Sequence, residues 1–232
     1  MKSRMLITGA TSGIGAALAA RYAGRADLLL AGRRPYEEVA ATLPADAHYV
    51  VADQSEPERA AAQIGKALAD LGWETLDVVV LNAGTGWSGD PATEPAASIR
   101  NTLDANLFAA VTLAHALAAL LEGGQLVLVG STARRGAPRF ASYAAAKAGL
   151  DGLARALSEE WRGKVRVKIV HPGPTATGMH AKAGFHTGRA RALFAPPEMM
   201  ARLIERAIAR RRIRRTISFP QYLAAAVTPW RR

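Results

Sequence analysis

The sequence predicts an α/β fold, in which a parallel sheet of about seven strands is covered by helices on both faces. Short apolar runs recur along the chain, and Ala- and Leu-rich stretches with helical spacing separate them. Right-handed crossovers place successive helices on opposite sides of such a sheet. With 232 residues, 50% of them hydrophobic, the chain is long enough for one domain with a full core.

The predicted elements alternate in a regular order. Each predicted strand is a short apolar run that suits a buried position, and these runs lie at residues 5–8, 28–31, 48–52, 78–82, 125–130, 165–170 and 216–219. The predicted helices carry apolar residues at helical spacing, at residues 14–23, 35–42, 56–71, 95–121 (as two helices), 142–161 and 197–210. No repeat or low-complexity linker interrupts the alternation, so we predict one nucleotide-binding domain over residues 1–232.

The positions after the predicted strands hold the glycine and polar signals. In chain order they are residues 9–15, Gly32-Arg33-Arg34, Asp53, Asn82-Ala83-Gly84, Ser131 and Pro172-Gly173. Ligands of doubly wound sheets bind beyond the carboxyl ends of the strands. These signals therefore predict one ligand site along a single edge of the sheet.

The first of these positions has the layout of a dinucleotide-binding turn. It follows an apolar run, opens a helix and reads Thr8-Gly9-Ala10-Thr11-Ser12-Gly13-Ile14-Gly15. Glycines suit such a turn because the chain must reverse sharply, approach a pyrophosphate closely and present helix N-terminal amides to it. The alternative is that these glycines serve packing alone. We predict cofactor contacts from Gly9, Thr11, Ser12, Gly13, Ile14 and Gly15.

The end of the second strand favours NADP(H) over NAD(H). A site for NAD usually places Asp or Glu there to bind the adenine ribose, whereas the 2′-phosphate of NADP needs space and a cation. This chain has Arg33 and Arg34 and no carboxylate at that position. We predict that Arg33 makes the direct phosphate contact. The alternative is that both arginines are exposed residues at a helix start.

The reactive groups are predicted to be Tyr143, Lys147 and Ser131. Tyr143 and Lys147 are four residues apart on a predicted helix and project from the same face. A nearby ammonium is expected to lower the pKa of the phenol, which makes Tyr143 a candidate acid for a ketone or base for an alcohol. Ser131 follows an apolar run, where its hydroxyl could hold a substrate oxygen.

Together these residues resemble the short-chain dehydrogenase/reductase family in its compact single-domain form, over nearly the whole chain. Its T-G-x-x-x-G-I-G turn is matched by residues 8–15, and its Y-x-x-x-K motif by Tyr143 and Lys147. Its N-N-A-G element is matched by residues 81–84, with Leu81 in place of the first asparagine. We predict a Rossmann-type sheet with the strand order 3-2-1-4-5-6-7.

The resemblance implies a catalytic tetrad of Asn106, Ser131, Tyr143 and Lys147. Tyr143 would donate a proton while a nicotinamide hydride attacks a carbonyl, and Ser131, or alternatively Thr132, would orient the carbonyl oxygen. Lys147 would bind the nicotinamide ribose, and Asn106 would hold a helix distortion and a water that feeds protons to Lys147. The resemblance also implies cofactor contacts from Asp53, Asn82, Ala83, Gly84, Tyr143, Lys147, Pro172, Gly173, Thr175 and Thr177.

Residues 174–196 are predicted to form the substrate loop, because their number suits a lid over the substrate and nicotinamide. We expect a small carbonyl or alcohol substrate and no metal, since His180 and His186 have no adjacent carboxylate. The other expected pocket walls carry Trp87, Arg134, Arg135, Arg139 and Phe140.

The net charge of +11 is densest in the basic C-terminal segment 202–232, above all at Arg202–Arg215. We interpret these arginines as a solvated helix end, because the run lacks the aromatic residues typical of single-strand nucleic-acid binding. Contact of Tyr222, Leu223 and Trp230 with an anionic membrane is a disfavoured alternative. The absence of cysteine and of a signal-peptide pattern suits a cytoplasmic protein.

The sequence thus predicts an NADP(H)-dependent oxidoreductase that interconverts a ketone or aldehyde and an alcohol. The Ala- and Leu-rich helices at about 95–121 and 142–161 predict a homo-oligomer, a dimer or tetramer, as is common in the family. Two alternatives stay open: a nucleotide-sensing regulator on the same fold, and a basic protein that binds membranes or nucleic acid.

Overall fold

A computed structural model describes residues 2–178, Ala183, residues 194–210 and the backbone of residues 214–217. Seven strands form one parallel sheet in the order β3-β2-β1-β4-β5-β6-β7, as predicted. The strands are β1 (Ser3–Thr8), β2 (Ala26–Gly32), β3 (His48–Val51), β4 (Val78–Leu81), β5 (Gln125–Val129), β6 (Arg166–Pro172) and β7 (Arg214–Ile217).

Strand β7 begins two residues before its predicted position. Its backbone pairs with that of β6, and the paired residues run from Arg214 opposite Ile169 to Ile217 opposite Pro172. The interpretation of residues 202–215 as one helix end is therefore wrong for Arg214 and Arg215, which belong to an edge strand. Apolar periodicity missed this start because backbone pairing, which ignores side-chain polarity, sets it. Arg211, Arg212 and residues 220–232, for which membrane contact was the disfavoured alternative, lie outside the described residues.

The helices flank the sheet in the expected order. They are α1 (Gly13–Tyr22), α2 (Tyr36–Val39), α3 (Pro57–Asp70), α4 (Ala96–Leu103), α5 (Ala109–Ala116), α6 (Ala141–Glu160) and α7 (Pro197–Ile208). The predicted helix 35–42 is α2 followed by a 3-10 turn at Ala40–Thr42. No helix within the described ranges is both long and apolar enough to cross a lipid bilayer.

Both faces of the sheet are buried, which explains the nearly continuous apolar strands. On one face, Leu6 and its neighbours pack against α3, α5 and α6 through side chains such as Ile64 and Leu113. On the other face, Ile7 and its neighbours pack against α1 and α7 through side chains such as Leu18. This leaves the carboxyl edge of the strands as the open surface on which polar groups collect.

Cationic side chains from α1, the residues after it and β6 hold α7 in place. Glu205 accepts a 2.7 Å hydrogen bond from Arg25 and is also bound by Arg21, so that α7 is joined to α1. The Nζ of Lys168 on β6 donates to the carbonyl oxygen of Ile208 at 2.6 Å, and also to that of Arg210. Unpaired carbonyls at the end of a helix need such donors.

Candidate active site

A cleft of about 780 Å³ lies at the carboxyl edge of the sheet, where the order of the strands reverses between β1 and β4. It follows the ends of β2, β1, β4, β5 and β6. Most of the predicted site residues line it: Gly9, Thr11, Ser12, Gly13, Ile14, Arg33, Arg34, Asp53, Asn82, Ala83, Gly84, Ser131, Tyr143, Lys147, Pro172, Gly173, Thr175 and Thr177. Gly15 and Asn106 are instead buried and do not line it.

Glycine is required in the turn after β1 for conformation and for space. Gly9 and Gly13 have φ angles of 65° and 55°, in the left-handed region that favours glycine. A Cβ on Gly9 would lie 2.8 Å from the Cα of Ala83, and one on Gly13 would lie 2.9 Å from Cγ2 of Thr177. Helix α1 begins at Gly13 without an acidic residue in its first turn. This turn therefore fits a pyrophosphate, which binds helix N-terminal amides.

Gly15 is buried where α1 meets the glycine turn. Its Cβ would lie 2.2 Å from the carbonyl oxygen of Gly9, so a side chain there would push α1 away from the turn. Sequence spacing does not distinguish a glycine that faces the ligand from one that lets the helix pack closely.

Thr8 and Asn82 join the glycine turn to the segment after β4. Thr8 Oγ1 accepts hydrogen bonds from the backbone N–H of Asn82 at 3.0 Å and of Ala83 at 3.1 Å. The side-chain amide of Asn82 donates to the carbonyl oxygen of Thr8 at 3.0 Å. These bonds fix the middle of the cleft.

The two arginines after β2 have different surroundings. Arg34 donates a 2.7 Å hydrogen bond to the carbonyl oxygen of Thr11, which holds it against the glycine turn. Arg33 is exposed and lines the cleft. Asp53 also lines the cleft, and its carboxylate accepts hydrogen bonds from the backbone and hydroxyl of Ser55 at 3.0 and 2.9 Å. An exposed guanidinium at this end can reach a ligand phosphate.

Ser131, Tyr143 and Lys147 come together at the cleft wall formed by β5 and α6. The Ser131 side chain interacts with the phenol of Tyr143, and Nζ of Lys147 lies 5.7 Å from the centre of the tyrosine ring. Ser131 Oγ accepts a hydrogen bond from the N–H of Ala133 at 3.1 Å, which leaves the hydroxyl proton available to donate. Thr132 also lines the cleft.

The pKa of Tyr143 does not follow the sequence expectation. Burial raises the pKa of the phenol above its ordinary value, and the interaction with Ser131 offsets part of that rise. Lys147 is itself buried, and burial lowers the pKa of its ammonium to about 8. The effect of the lysine was overestimated because the sequence shows proximity along a helix but not the desolvation of both groups.

Asn106 lies in a helix distortion, as the family resemblance implied. Residues Asp104–Phe108 form a π turn between α4 and α5. The Nδ2 of Asn106 donates to the carbonyl oxygens of Thr85 and Thr102, both at 2.7 Å. A Cβ on Gly84 would lie 2.4 Å from Oδ1 of Asn106 and 3.4 Å from Nζ of Lys147, so both atoms approach the same side of Gly84.

The two ends of the predicted substrate loop, residues 174–196, lie next to each other. Thr175 and Ala195 form a parallel bridge, and Ala195 N–H donates to the carbonyl oxygen of Pro174 at 3.0 Å. The carbonyl oxygen of Ala183 accepts a 2.8 Å hydrogen bond from Ser88 N–H in the segment after β4. Phe194 lines the cleft. Several predicted loop residues lie outside the described residues: Met179, His180, Phe185, His186, Arg189 and Arg191.

The expected pocket walls are correct only in part. Phe140 lines the cleft, whereas Trp87, Arg134, Arg135 and Arg139 do not. Arg134 turns inward and donates to Asp151 at 2.8 Å. Asn101 on α4 lines the cleft and was missed, because no motif surrounds it. Within the described residues, no group of three or more metal-ligating side chains occurs.

A comparison with models of protein families shows to which family the chain belongs. The family model described as short chain dehydrogenase matches residues 3–186. The chain belongs to the short-chain dehydrogenase/reductase family. It is an oxidoreductase of that family, with the sheet and glycine turn that members use to bind NAD(P).

Its relatives in the family include several bacterial proteins. An uncharacterized oxidoreductase of Myxococcus xanthus is 35% identical, over 78% of this chain and 75% of its own length. An uncharacterized oxidoreductase of Mycobacterium tuberculosis is 32% identical, over 78% of this chain and 77% of its own. The cyclic-di-GMP-binding biofilm dispersal mediator protein of Escherichia coli is 30% identical, over 78% of this chain and 76% of its own.

Solved structures of short-chain dehydrogenases share the fold. A short-chain dehydrogenase from Burkholderia cenocepacia in complex with NADP has a TM-score of 0.80 and 27% identity, and the match covers 94% of this chain and 96% of that one. One from Sphingobium yanoikuyae in complex with NADPH has a TM-score of 0.81 and 27% identity, with coverage of 97% and 90%.

Proposed function

We propose that this protein is an NADP(H)-dependent oxidoreductase that interconverts a ketone or aldehyde and an alcohol, with Tyr143 as the acid and base. The observation that carries the proposal is the meeting of Ser131, Tyr143 and Lys147 at one end of a cleft that contains the glycine turn and Arg33. The strand order supports it, because the ends of β2, β1, β4 and β5 follow one another along the cleft.

The proposed reduction needs one hydride and one proton. When bound, NADPH supplies the hydride for the carbonyl carbon. Tyr143 donates its phenolic proton to the carbonyl oxygen, and its raised pKa keeps the phenol protonated at neutral pH, as a donor must be. The hydroxyl of Ser131 donates a hydrogen bond to the same oxygen and orients it. In alcohol oxidation each step runs in reverse.

Lys147 and Asn106 support the proton transfer in this proposal. Loss of the proton leaves a phenolate on Tyr143, which the ammonium of Lys147 stabilises. Lys147 also binds the nicotinamide ribose. Asn106 Oδ1 and Lys147 Nζ approach the same side of Gly84, which would allow one water to bridge them and return a proton to the lysine.

The preference for NADP(H) rests on Arg33 and Arg34. Their guanidinium groups lie at the end of β2, where the cofactor's 2′-phosphate is expected. Asp53 follows β3 and lines the cleft nearby, and the family resemblance assigns its carboxylate to the adenine. The NADP and NADPH complexes of the Burkholderia and Sphingobium proteins are consistent with this choice.

We also propose that residues 1–232 form one domain in which residues 174–196 cover the substrate.

Two apolar side chains support the proposed pairing of copies through residues 95–121 and 142–161. Phe108 is 54% exposed and Ile99 is 37% exposed. Light scattering should give a dimer or tetramer, and Phe108→Asp should shift it toward the monomer. A wild-type monomer would reject the oligomer.

The function is tested by following NADPH and NADH oxidation with the purified protein across a panel of ketones and aldehydes. We expect turnover with NADPH that Tyr143→Phe reduces by about 10²–10⁴-fold, which is the usual contribution of a proton donor. NADPH binding should survive the substitution, because the glycine turn is intact. Equal activity of wild type and Tyr143→Phe would reject Tyr143 as the proton donor.

A nucleotide sensor on the same fold is the second candidate, and one relative supports it. The Escherichia coli relative is described as binding cyclic di-GMP. A sensor would bind NADPH or a cyclic dinucleotide tightly and turn over no carbonyl compound in the panel. Calorimetric titration with both ligands, beside the turnover assay, separates the two functions.

A further inference from the structure

A buried ionic cluster lies next to the proposed reactive groups without touching the cleft. Nη1 of Arg134 lies 2.8 Å from Oδ2 of Asp151, and Nε2 of His171 lies 3.1 Å from Oδ1 of the same carboxylate. The side chains of Arg134, Asp151 and His171 are 14%, 8% and 0% exposed. Oδ2 of Asp151 thus accepts a hydrogen bond from Arg134, and Oδ1 is in close contact with the imidazole of His171.

The cluster joins the three segments that build the reactive end of the site. Arg134 lies in the 3-10 turn Thr132–Arg135, which directly follows Ser131. Asp151 lies on α6, eight residues after Tyr143 and four after Lys147, so all three share one helix face. His171 lies on β6, next to Pro172 of the proposed cofactor site.

The chain is in contact with this cluster on both sides of Ser131. A Cβ on Gly130 would lie 2.5 Å from Nδ1 of His171, so the imidazole packs directly against the residue before Ser131. After Ser131, the N–H of Arg134 donates to the carbonyl oxygen of Ser131 at 3.3 Å, and the guanidinium of Arg134 is anchored on Asp151. The carboxylate of Asp151 therefore helps to fix the position of Ser131 relative to α6.

The geometry points to Asp151 as a positioning residue, which acts through Arg134 and His171 to hold the Ser131 hydroxyl against the phenol of Tyr143. The inference rests on the proposed function, because it assigns the cluster to the Ser131–Tyr143 contact. A buried ion pair is seldom the most stable way to fill space, and apolar side chains of similar volume often stabilise a protein as well or better. The directional hydrogen bond from Arg134 to Asp151 instead specifies one placement of the turn.

Arg134→Met tests the inference because it keeps most of the length of the side chain and removes the guanidinium. We expect the kcat of carbonyl reduction to fall about 10–100-fold, as for a displacement of about 1 Å at a reacting group. The Kd of NADPH should change by less than about threefold, since the glycine turn and Arg33 follow β1 and β2, away from this cluster. A general loss of folded protein would instead lower the number of NADPH sites.

Two further readouts separate positioning from a purely structural role. If Arg134 acts through Ser131, the double variant Arg134→Met/Ser131→Ala should be no slower than Ser131→Ala alone. The rise of the alcohol oxidation rate with pH, which reports the ionisation of the Tyr143 phenol to its basic form, should move to higher pH in Arg134→Met as in Ser131→Ala. The reason is that the Ser131 side chain lowers the pKa of the phenol.

The matched control is Glu205→Gln, which breaks another ion pair between elements, on the far side of the sheet. It should leave kcat per NADPH site unchanged. Additive losses in the double variant, or wild-type kcat in Arg134→Met, would overturn the inference. If Arg134→Met does not fold, Arg134→Lys and Asp151→Asn test the positioning role, with the same measurements of kcat, NADPH binding, the double variant and the pH profile. Full activity in Tyr143→Phe would reject the proposed function itself, and this outcome is distinct from failure of the positioning role.

Discussion

The Nζ of Lys147 donates a 3.0 Å hydrogen bond to the carbonyl oxygen of Val129, the last residue of β5. This bond fixes α6 to the strand end that leads into Ser131. It also draws the ammonium into a buried position, where only 3% of the residue is exposed. The same placement brings the amine near the ring of Tyr143 and lowers the pKa of Lys147 to about 8.

The first prediction concerns the pH dependence of carbonyl reduction. Lys147 is charged below a pH of about 8 and becomes neutral above it. Since the ammonium stabilises the phenolate that forms on Tyr143, kcat should fall as the pH rises through about 8. The measurement is kcat at saturating NADPH between about pH 6 and pH 10.

Lys147→Arg is the control for this prediction, because a guanidinium keeps its charge over the whole range. Its absolute rate should be lower, but the decline near a pH of about 8 should be missing. A decline that persists in Lys147→Arg would assign the titration to another group.

The second prediction concerns cofactor choice. Arg33→Asp should weaken NADPH binding about 10–100-fold, as expected for a lost charge-assisted hydrogen bond and an added repulsion, and should change NADH binding little. Fluorescence titration with both cofactors measures this. Arg33→Gln should give a smaller effect in the same direction, and equal losses for both cofactors would remove Arg33 from the phosphate site.

The third prediction concerns the glycine turn. Gly9→Ala should destabilise the fold by about 1–2 kcal/mol or more, because alanine avoids a positive φ and its Cβ would meet the Ala83 backbone at 2.8 Å. NADPH binding should weaken too, since the turn must shift. Thermal unfolding with and without NADPH measures both effects.

Gly65→Ala is the matched control for the turn. Gly65 lies inside α3 and its Cβ would have no neighbour within 4 Å. Alanine there should stabilise the helix by up to about 1 kcal/mol and leave NADPH binding unchanged. Equal behaviour of the two variants would show that the turn tolerates a side chain.

The fourth prediction concerns Glu205. Burial by itself raises the pKa of this carboxyl, but hydrogen bonds from Arg25 and Arg21 outweigh it and hold the pKa below its ordinary value of 4.5. A carboxyl with a lowered folded-state pKa stabilises the fold above its unfolded-state pKa, and this contribution is lost as the pH falls through the folded-state value.

Glu205→Gln should therefore lower stability near pH 7 by at most about 1 kcal/mol, as partly exposed ion pairs contribute little. The difference from wild type should shrink once the pH drops below 4.5. Urea unfolding at several pH values measures it. Glu56→Gln, which breaks the exposed pair with Arg59, is the control and should change stability less. A constant difference at all pH values would contradict the assignment.

The order of elements and most of the cleft could be predicted because they depend on local patterns. A strand that is buried on both faces must be apolar, as β1 and β5 are, and a chain that reverses tightly before a helix needs glycine, as at Gly9 and Gly13. The end of a strand therefore shows in the sequence wherever polarity or glycine content changes.

Contacts between distant segments could not be predicted in this way. From the sequence, Arg134 was predicted to lie in a wall of the substrate pocket. Only the packing of α6 against the turn after β5 shows that its side chain points inward to Asp151. The sequence also does not show that Gly15 allows the close approach of α1 to Gly9. The start of β7 at Arg214 depends on pairing with β6 rather than on hydrophobicity.

The sequence by itself determined the alternation of strands and helices, the glycine turn and the pairing of Tyr143 with Lys147 on one helix face, because each depends on residues close together in the chain. Only the tertiary structure decided how far those groups are desolvated. Burial raises the pKa of Tyr143 and lowers that of Lys147, and burial is a property of everything packed around a side chain.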